Sequence, residues 1–121
     1  MKVSYIELLG RKHPLCFSLA ASQKISDEFG GMDKMQEALG SGDIGKMAHA
    51  VDVVLSTLMD AGQIYCRMAN MECPEPLSCR PADVIDLSDP EAIKTIFAAM
   101  AVGSERDVEV ASKNVTPTQG K

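Results

Sequence analysis

The sequence predicts an α+β domain that is mostly helical: an N-terminal β-hairpin, about four helices with the longest near 43–70, and a flexible C-terminal tail. Three observations carry this reading. Leu15, Phe17 and Leu19 alternate with Cys16 and Ser18, the period of a half-buried strand. From Ile44 to Cys66, apolar residues recur at spacings of three and four, the stripe of an amphipathic helix. After Gly103 no period is sustained, so residues 1–103 form the expected globular domain and 104–121 the tail.

The elements follow in order. Val3–Leu9 is the first expected strand, with Val3, Tyr5 and Leu9 on one parity and Ile6 and Leu8 on the other. Gly10-Arg11-Lys12 supplies a polar turn, and Leu15–Leu19 is the second strand. Pro14 cannot donate to a ladder and so marks a strand start or an edge. Two strands alone do not make a stable sheet, so the hairpin must lean on helices, on a third strand or on another protein.

From about Ala20 the period changes to helical. Ala21, Ser22, Ile25 and Phe29 share a face, and Gly30-Gly31 stops the helix. Met32 to Leu39 reads as a second short helix with Met32, Met35 and Leu39 inward. Asp43 is the expected N-cap of the long helix. Its inward face is Ile44, Met47, Ala48, Val51, Val54, Leu55, Leu58, Gly62, Tyr65 and Cys66; Asp52, Asp60, Gln63 and Arg67 mark its wet side.

Residues 71–81 form a proline-punctuated connection, and residues 81–87 have room for a single helical turn. Ser88-Asp-Pro-Glu91 has capping-box spacing and opens a last helix with Ile93, Ile96, Phe97 and Met100, ending near Val102-Gly103.

Composition narrows the function. A net charge of −5 disfavours phosphate binding, which needs a basic patch, so no nucleic-acid partner is expected. No apolar run reaches the roughly 18 residues of a membrane span, and the N-terminus lacks a secretory pattern. The expected location is the cytoplasm, with no membrane partner. Cys66, Cys73 and Cys79 form C-x6-C-x5-C, too loose for the tight pairs of structural zinc, and reduced thiols are expected.

Neither a catalytic residue nor a cofactor is assigned. His13 and Cys16 both belong to the hairpin region with opposite parity, and pairing them as nucleophile and base would need a turn conformation that the sequence does not demonstrate. His49 reads as a surface or boundary residue, and Asp27/Glu28 and Asp83/Asp86 as solvated helix charges. The glycine pairs lack the flanking residues of a phosphate loop. A helix-turn-helix over 20–39 is the rival reading, but its second helix sets Asp33 and Glu37 against Lys34.

In this order the pieces resemble the small tail assembly chaperones of long-tailed phages and prophages. Tyr5–Leu19 is similar to their opening hairpin. Lys24–Met35 is similar to their helix, Phe-Gly stop and second helix, Asp43–Met47 to the start of their long helix, and Asp83–Glu91 to their turn and capped last helix. The resemblance spans about residues 3–103 and implies a non-enzymatic cytoplasmic factor. Such a factor binds the tape-measure protein and promotes gathering of tail-tube protein around it. It also implies a longer frameshifted product in some systems, with Ser104 onward as the junction.

A client helix would fit a groove between amphipathic helices, and the hairpin edge would accept a partner strand or a second copy. Met32, Met35, Met59, Met68, Met71 and Met100 either line such a surface or fill the core. A small DNA-binding regulator, a toxin–antitoxin component and a minor structural tail component are the alternatives.

Overall fold

The computed structural model describes residues 3–86 and 90–101. Two antiparallel strands, β1 (Ser4–Leu8) and β2 (Arg11–Leu15), lead into α1 (Leu19–Phe29), α2 (Met32–Leu39), α3 (Ile44–Met68) and the single turn α4 (Pro81–Val84). A last helix, α5, spans 91–101. The expected α+β class and element order are thus observed. The capping residue Ser88, the helix end near Val102-Gly103 and the tail from Ser104 lie outside the described residues.

The hairpin differs from the sequence expectation in register. Its turn is Leu9-Gly10, and β2 is Arg11–Leu15 rather than Leu15–Leu19. Both turn residues have positive φ, 54° at Leu9 and 76° at Gly10, the signature of the two-residue turn that matches strand twist. That turn makes Arg11 the partner of Leu8 and sets every pair behind it, through Ile6–His13 to Ser4–Leu15. Pairs alternate between hydrogen-bonded and open, and counting from the turn puts Tyr5–Pro14 at an open pair. A residue without an N–H is tolerated there.

The same register decides which parity of β1 is buried. Ile6 and Leu8 face the core, while Tyr5 and Leu9 are exposed. Phe17 and Leu19 are not strand residues. The Ser18 hydroxyl accepts from the Ala21 N–H at 3.1 Å, so helix α1 begins at Leu19, which is exposed.

Leu9 is a bulky side chain held in left-handed backbone, which costs about 1 kcal/mol over glycine or asparagine. Leu9→Asn should therefore raise stability by about 0.5–1 kcal/mol in chemical denaturation, since its side chain is exposed and gives up no packing.

The helices form where their stops and caps place them. Gly30, at φ 81°, ends α1, and its N–H and that of Gly31 both donate to the Ser26 carbonyl. The Asp43 carboxylate accepts from the Lys46 N–H at 3.2 Å and opens α3. Asn70, at φ 57°, lets the chain leave α3, and the Met71 N–H closes the end on the Cys66 carbonyl at 2.8 Å.

Helix α3 is the spine. Val54, Leu55 and Leu58 are fully buried against Leu15, Ile25, Met35 and Ile96 from the surrounding elements. Of the expected inward face, Ile44 departs: it is exposed and borders a shallow apolar depression with Ile85 and Ile93. Asp52 departs in the other direction. Its half-buried carboxylate accepts from Arg80 Nε at 2.8 Å and from the Ala82 N–H at 2.7 Å, and so holds α4 on α3. Gln63 ties the connection down by donating to the Pro74 carbonyl at 2.9 Å.

Candidate functional site: an apolar groove between α1 and α3

Small residues open the site. Ala20 and Ala21 on α1 line a groove with Thr57 and Ala61 on α3, and short side chains leave the two helices unfilled between them. The void is about 550 Å³ and mostly apolar in lining. That volume falls in the range of ordinary ligand and peptide-anchor pockets. Ile64, Tyr65 and Met68 extend the α3 wall, with Ile64 and Met68 53% and 83% exposed. Exposed large apolar side chains beside an apolar groove mark a surface that takes a partner more often than scattered single ones do.

Polar groups at the groove are few and placed at its sides. The Thr57 hydroxyl donates to the Val53 carbonyl at 2.7 Å and is thereby occupied within its own helix. Lys24 on α1 and Asp60 on α3 line the groove from opposite helices, and neither has an ion-pair partner among the described residues. Cys16 also lines the groove; it is fully buried, and burial raises its thiol pKa.

The residues singled out in the sequence scatter. His13 and Cys16 line different cavities, His13 a small one of about 80 Å³ beneath the connection, with Asp60 and Cys79. His49 is exposed and stands 3.9 Å from a Glu28 oxygen and beside the Phe29 ring. Asp27 and Asp83 are exposed, and the Asp83 carboxylate accepts from the Arg80 N–H.

The six methionines named above divide. Met35, Met59 and Met100 are core, Met32 is half-buried, and Met68 and Met71 are exposed; of these only Met68 lines the groove. A methionine-rich surface is therefore replaced by a mixed apolar one. Cys66 is buried, Cys73 half-buried and Cys79 exposed, all as free thiols. Among the described residues no three histidine, cysteine or acidic side chains come together as a metal set.

Two further surfaces bear on partners. Among the described residues no strand pairs with the outer edge of β1, while β2 leans on α3, where the Cys16 N–H donates to the Leu58 carbonyl at 3.1 Å. The outward residues of α2 are Asp33, Lys34, Gln36 and Glu37. Among the described residues no helix is long and apolar enough to cross a membrane.

The residues that line the groove are not legible in the sequence, because Ala20, Ala21 and Ala61 read as ordinary helix formers. The exposure of Ile64 and Met68 was the available signal, since both fall off the inward stripe of α3. No protein-family model matches the chain, and no curated protein or solved structure compared with it does.

Proposed function

We propose that this protein is a non-enzymatic assembly chaperone of the kind that serves phage tails. In this reading it receives apolar helical segments of the tape-measure protein in the α1–α3 groove, in the bacterial cytoplasm, and keeps them from aggregating until tail-tube protein gathers around them. The observation that supports it most is the open apolar groove with Ile64 and Met68 exposed along one wall. A client helix would set its i, i+3, i+4 stripe into such a groove. The outer edge of β1, unpaired among the described residues, supports a second contact, with a partner strand or another copy of the chain.

A regulator that reads DNA is less well supported, because the exposed face of α2 carries Asp33 and Glu37 against one Lys34.

Co-expression with a phage tape-measure protein tests the proposal. The client should become soluble and co-purify with the full chain. Ile64→Glu places a charge on the exposed wall and should weaken the complex by about tenfold or more, with the thermal transition unchanged. A client that stays insoluble with the wild-type protein, or binds Ile64→Glu equally well, overturns the groove assignment.

A further inference from the structure

The outer edge of β1 carries hydrogen-bonding groups that the groove does not use. Counted from the Leu9-Gly10 turn, Tyr5–Pro14 and Glu7–Lys12 are the open pairs of the hairpin. Residues at open pairs turn their N–H and C=O away from the neighbouring strand. Tyr5 and Glu7 therefore present two donors and two acceptors outward, and among the described residues nothing bonds these groups. Their side chains are exposed, on the face opposite to buried Ile6 and Leu8. The lysine and proline that commonly guard an edge stand on β2, at Lys12 and Pro14, while β1 carries only the charge of Glu7.

We propose that this edge is a homodimer interface. The β1 strand of a second copy pairs with it antiparallel, and two hairpins become one four-stranded sheet in the order β2-β1-β1-β2. A second copy is the occupant because the edge is self-complementary. A two-fold axis through Ile6 sets Tyr5 opposite the partner's Glu7 and Glu7 opposite the partner's Tyr5. Both become hydrogen-bonded pairs, so all four outward groups of each copy are satisfied.

The charges choose this register. Within the hairpin Glu7 stands beside Lys12. Across the axis it meets the partner's Tyr5, so on the exposed face each carboxylate lies between an ammonium and a phenol. An axis through Glu7 would set two carboxylates directly opposite each other, which is destabilising. An axis through Tyr5 would leave Glu7 against the partner's Val3, with no polar side chain to meet.

The packing behind the sheet agrees. Ile6 and Leu8 of both copies fall on one face, and the enlarged sheet has the four strands that a lone hairpin lacks. Helix α3 packs mainly on β2, so the spines of the two copies stand away from the axis. The dimer rests on the edge contact of the chaperone reading and not on its groove; under that reading it offers two grooves to one long client.

Sedimentation velocity of the full chain over a concentration series, with amide exchange followed by NMR, tests the pairing. Five-residue strands bury little surface, so dimers should form at about 10–100 μM. The Tyr5 and Glu7 amides should gain protection as they do. Glu7→Pro removes one outward N–H and no hairpin bond, so it should weaken association by about tenfold or more while circular dichroism stays that of wild type. Tyr5→Pro repeats the test at the other outward N–H if Glu7→Pro does not fold. Ile64→Glu lies on the groove and should leave the dimer intact, so dimer formation and client binding are read separately. A single-chain mass up to about 1 mM, a dimer that survives the proline variants, or one that Ile64→Glu dissolves would each overturn the pairing. Protection of Tyr5 and Glu7 in a monomer would overturn it too, because a segment of the same chain would then hold the edge.

Discussion

Gly62→Ala should destabilise the protein by about 3 kcal/mol or more, a loss large enough to move the thermal transition by roughly 10 °C. The usual expectation is the reverse, because alanine in a helix interior is favoured over glycine by about 1 kcal/mol. Here α3 and the hairpin are in backbone contact. A Cβ at residue 62 would lie 2.0 Å from the Pro14 carbonyl oxygen and 2.5 Å from its carbon. Both obstructing atoms are main chain, so no rotamer change relieves them. The hairpin would have to retreat by more than an ångström, breaking the Cys16 N–H bond to the Leu58 carbonyl and lifting Leu15 out of the core. Urea denaturation of Gly62→Ala beside Gly42→Ala checks this. A Cβ at residue 42 meets nothing within 4 Å, and that variant should stay within about 0.5 kcal/mol of wild type. Equal stability of the two variants would show that hairpin and helix are not held together there.

The second large effect is on pH. His13 is 2% exposed, faces Ile6 across the hairpin, and has no hydrogen-bond partner for either ring nitrogen among the described residues. Burial lowers its pKa below the ordinary 6.5, and the nearby Arg11 charge lowers it further. The folded protein therefore holds His13 neutral at pH values where the unfolded chain is already protonated. Unfolding takes up a proton in that window, so stability is complete above pH 6.5 and falls as pH drops through 6.5 toward the folded-state value.

The limiting slope for one proton is about 1.4 kcal/mol per pH unit. Carboxylates titrate lower and contribute their own dependence, so the readout is a difference. Wild type should lose stability between pH 6.5 and 5 more steeply than His13→Leu, by up to one proton's slope. Parallel profiles for the two proteins would mean that the imidazole is charged, or solvated, in the fold.

These two residues show where sequence patterns reach their limit. Gly62 is visible in the sequence as a member of the inward stripe, and its burial is as expected. Its reason is not visible, because the atom it makes room for belongs to Pro14, which no helical period connects to it. With the turn at Gly10-Arg11-Lys12 and the second strand opening at Leu15, His13 falls between them and is assigned to neither face of the sheet. Moving the turn to Leu9-Gly10 puts His13 on the inward face. That error has a specific source: leucine in left-handed backbone is not a turn signal, whereas Asn-Gly in its place would have been.

The helical part was more legible. Gly30 beyond Phe29, Asp43 before Ile44 and the spacing of Val51, Val54, Leu55 and Leu58 act through bonds and contacts within a few residues. The groove lies at the other extreme. Ala20 and Ala21 mean nothing as a cavity until Ala61 and Thr57 stand opposite them.

By itself, the sequence determined the class of this protein, the order of its elements, the stop of α1, both ends of α2 and the start of α3. Those features rest on local physics: side-chain caps, glycine stops and a period that repeats every turn. Only the tertiary structure decided the hairpin register, the close approach at Gly62, the use of Asp52 to hold α4, and the groove beside Ile64 and Met68. Each depends on which surfaces meet across distant parts of the chain, and a one-residue shift in strand pairing reverses every face that a pattern can assign.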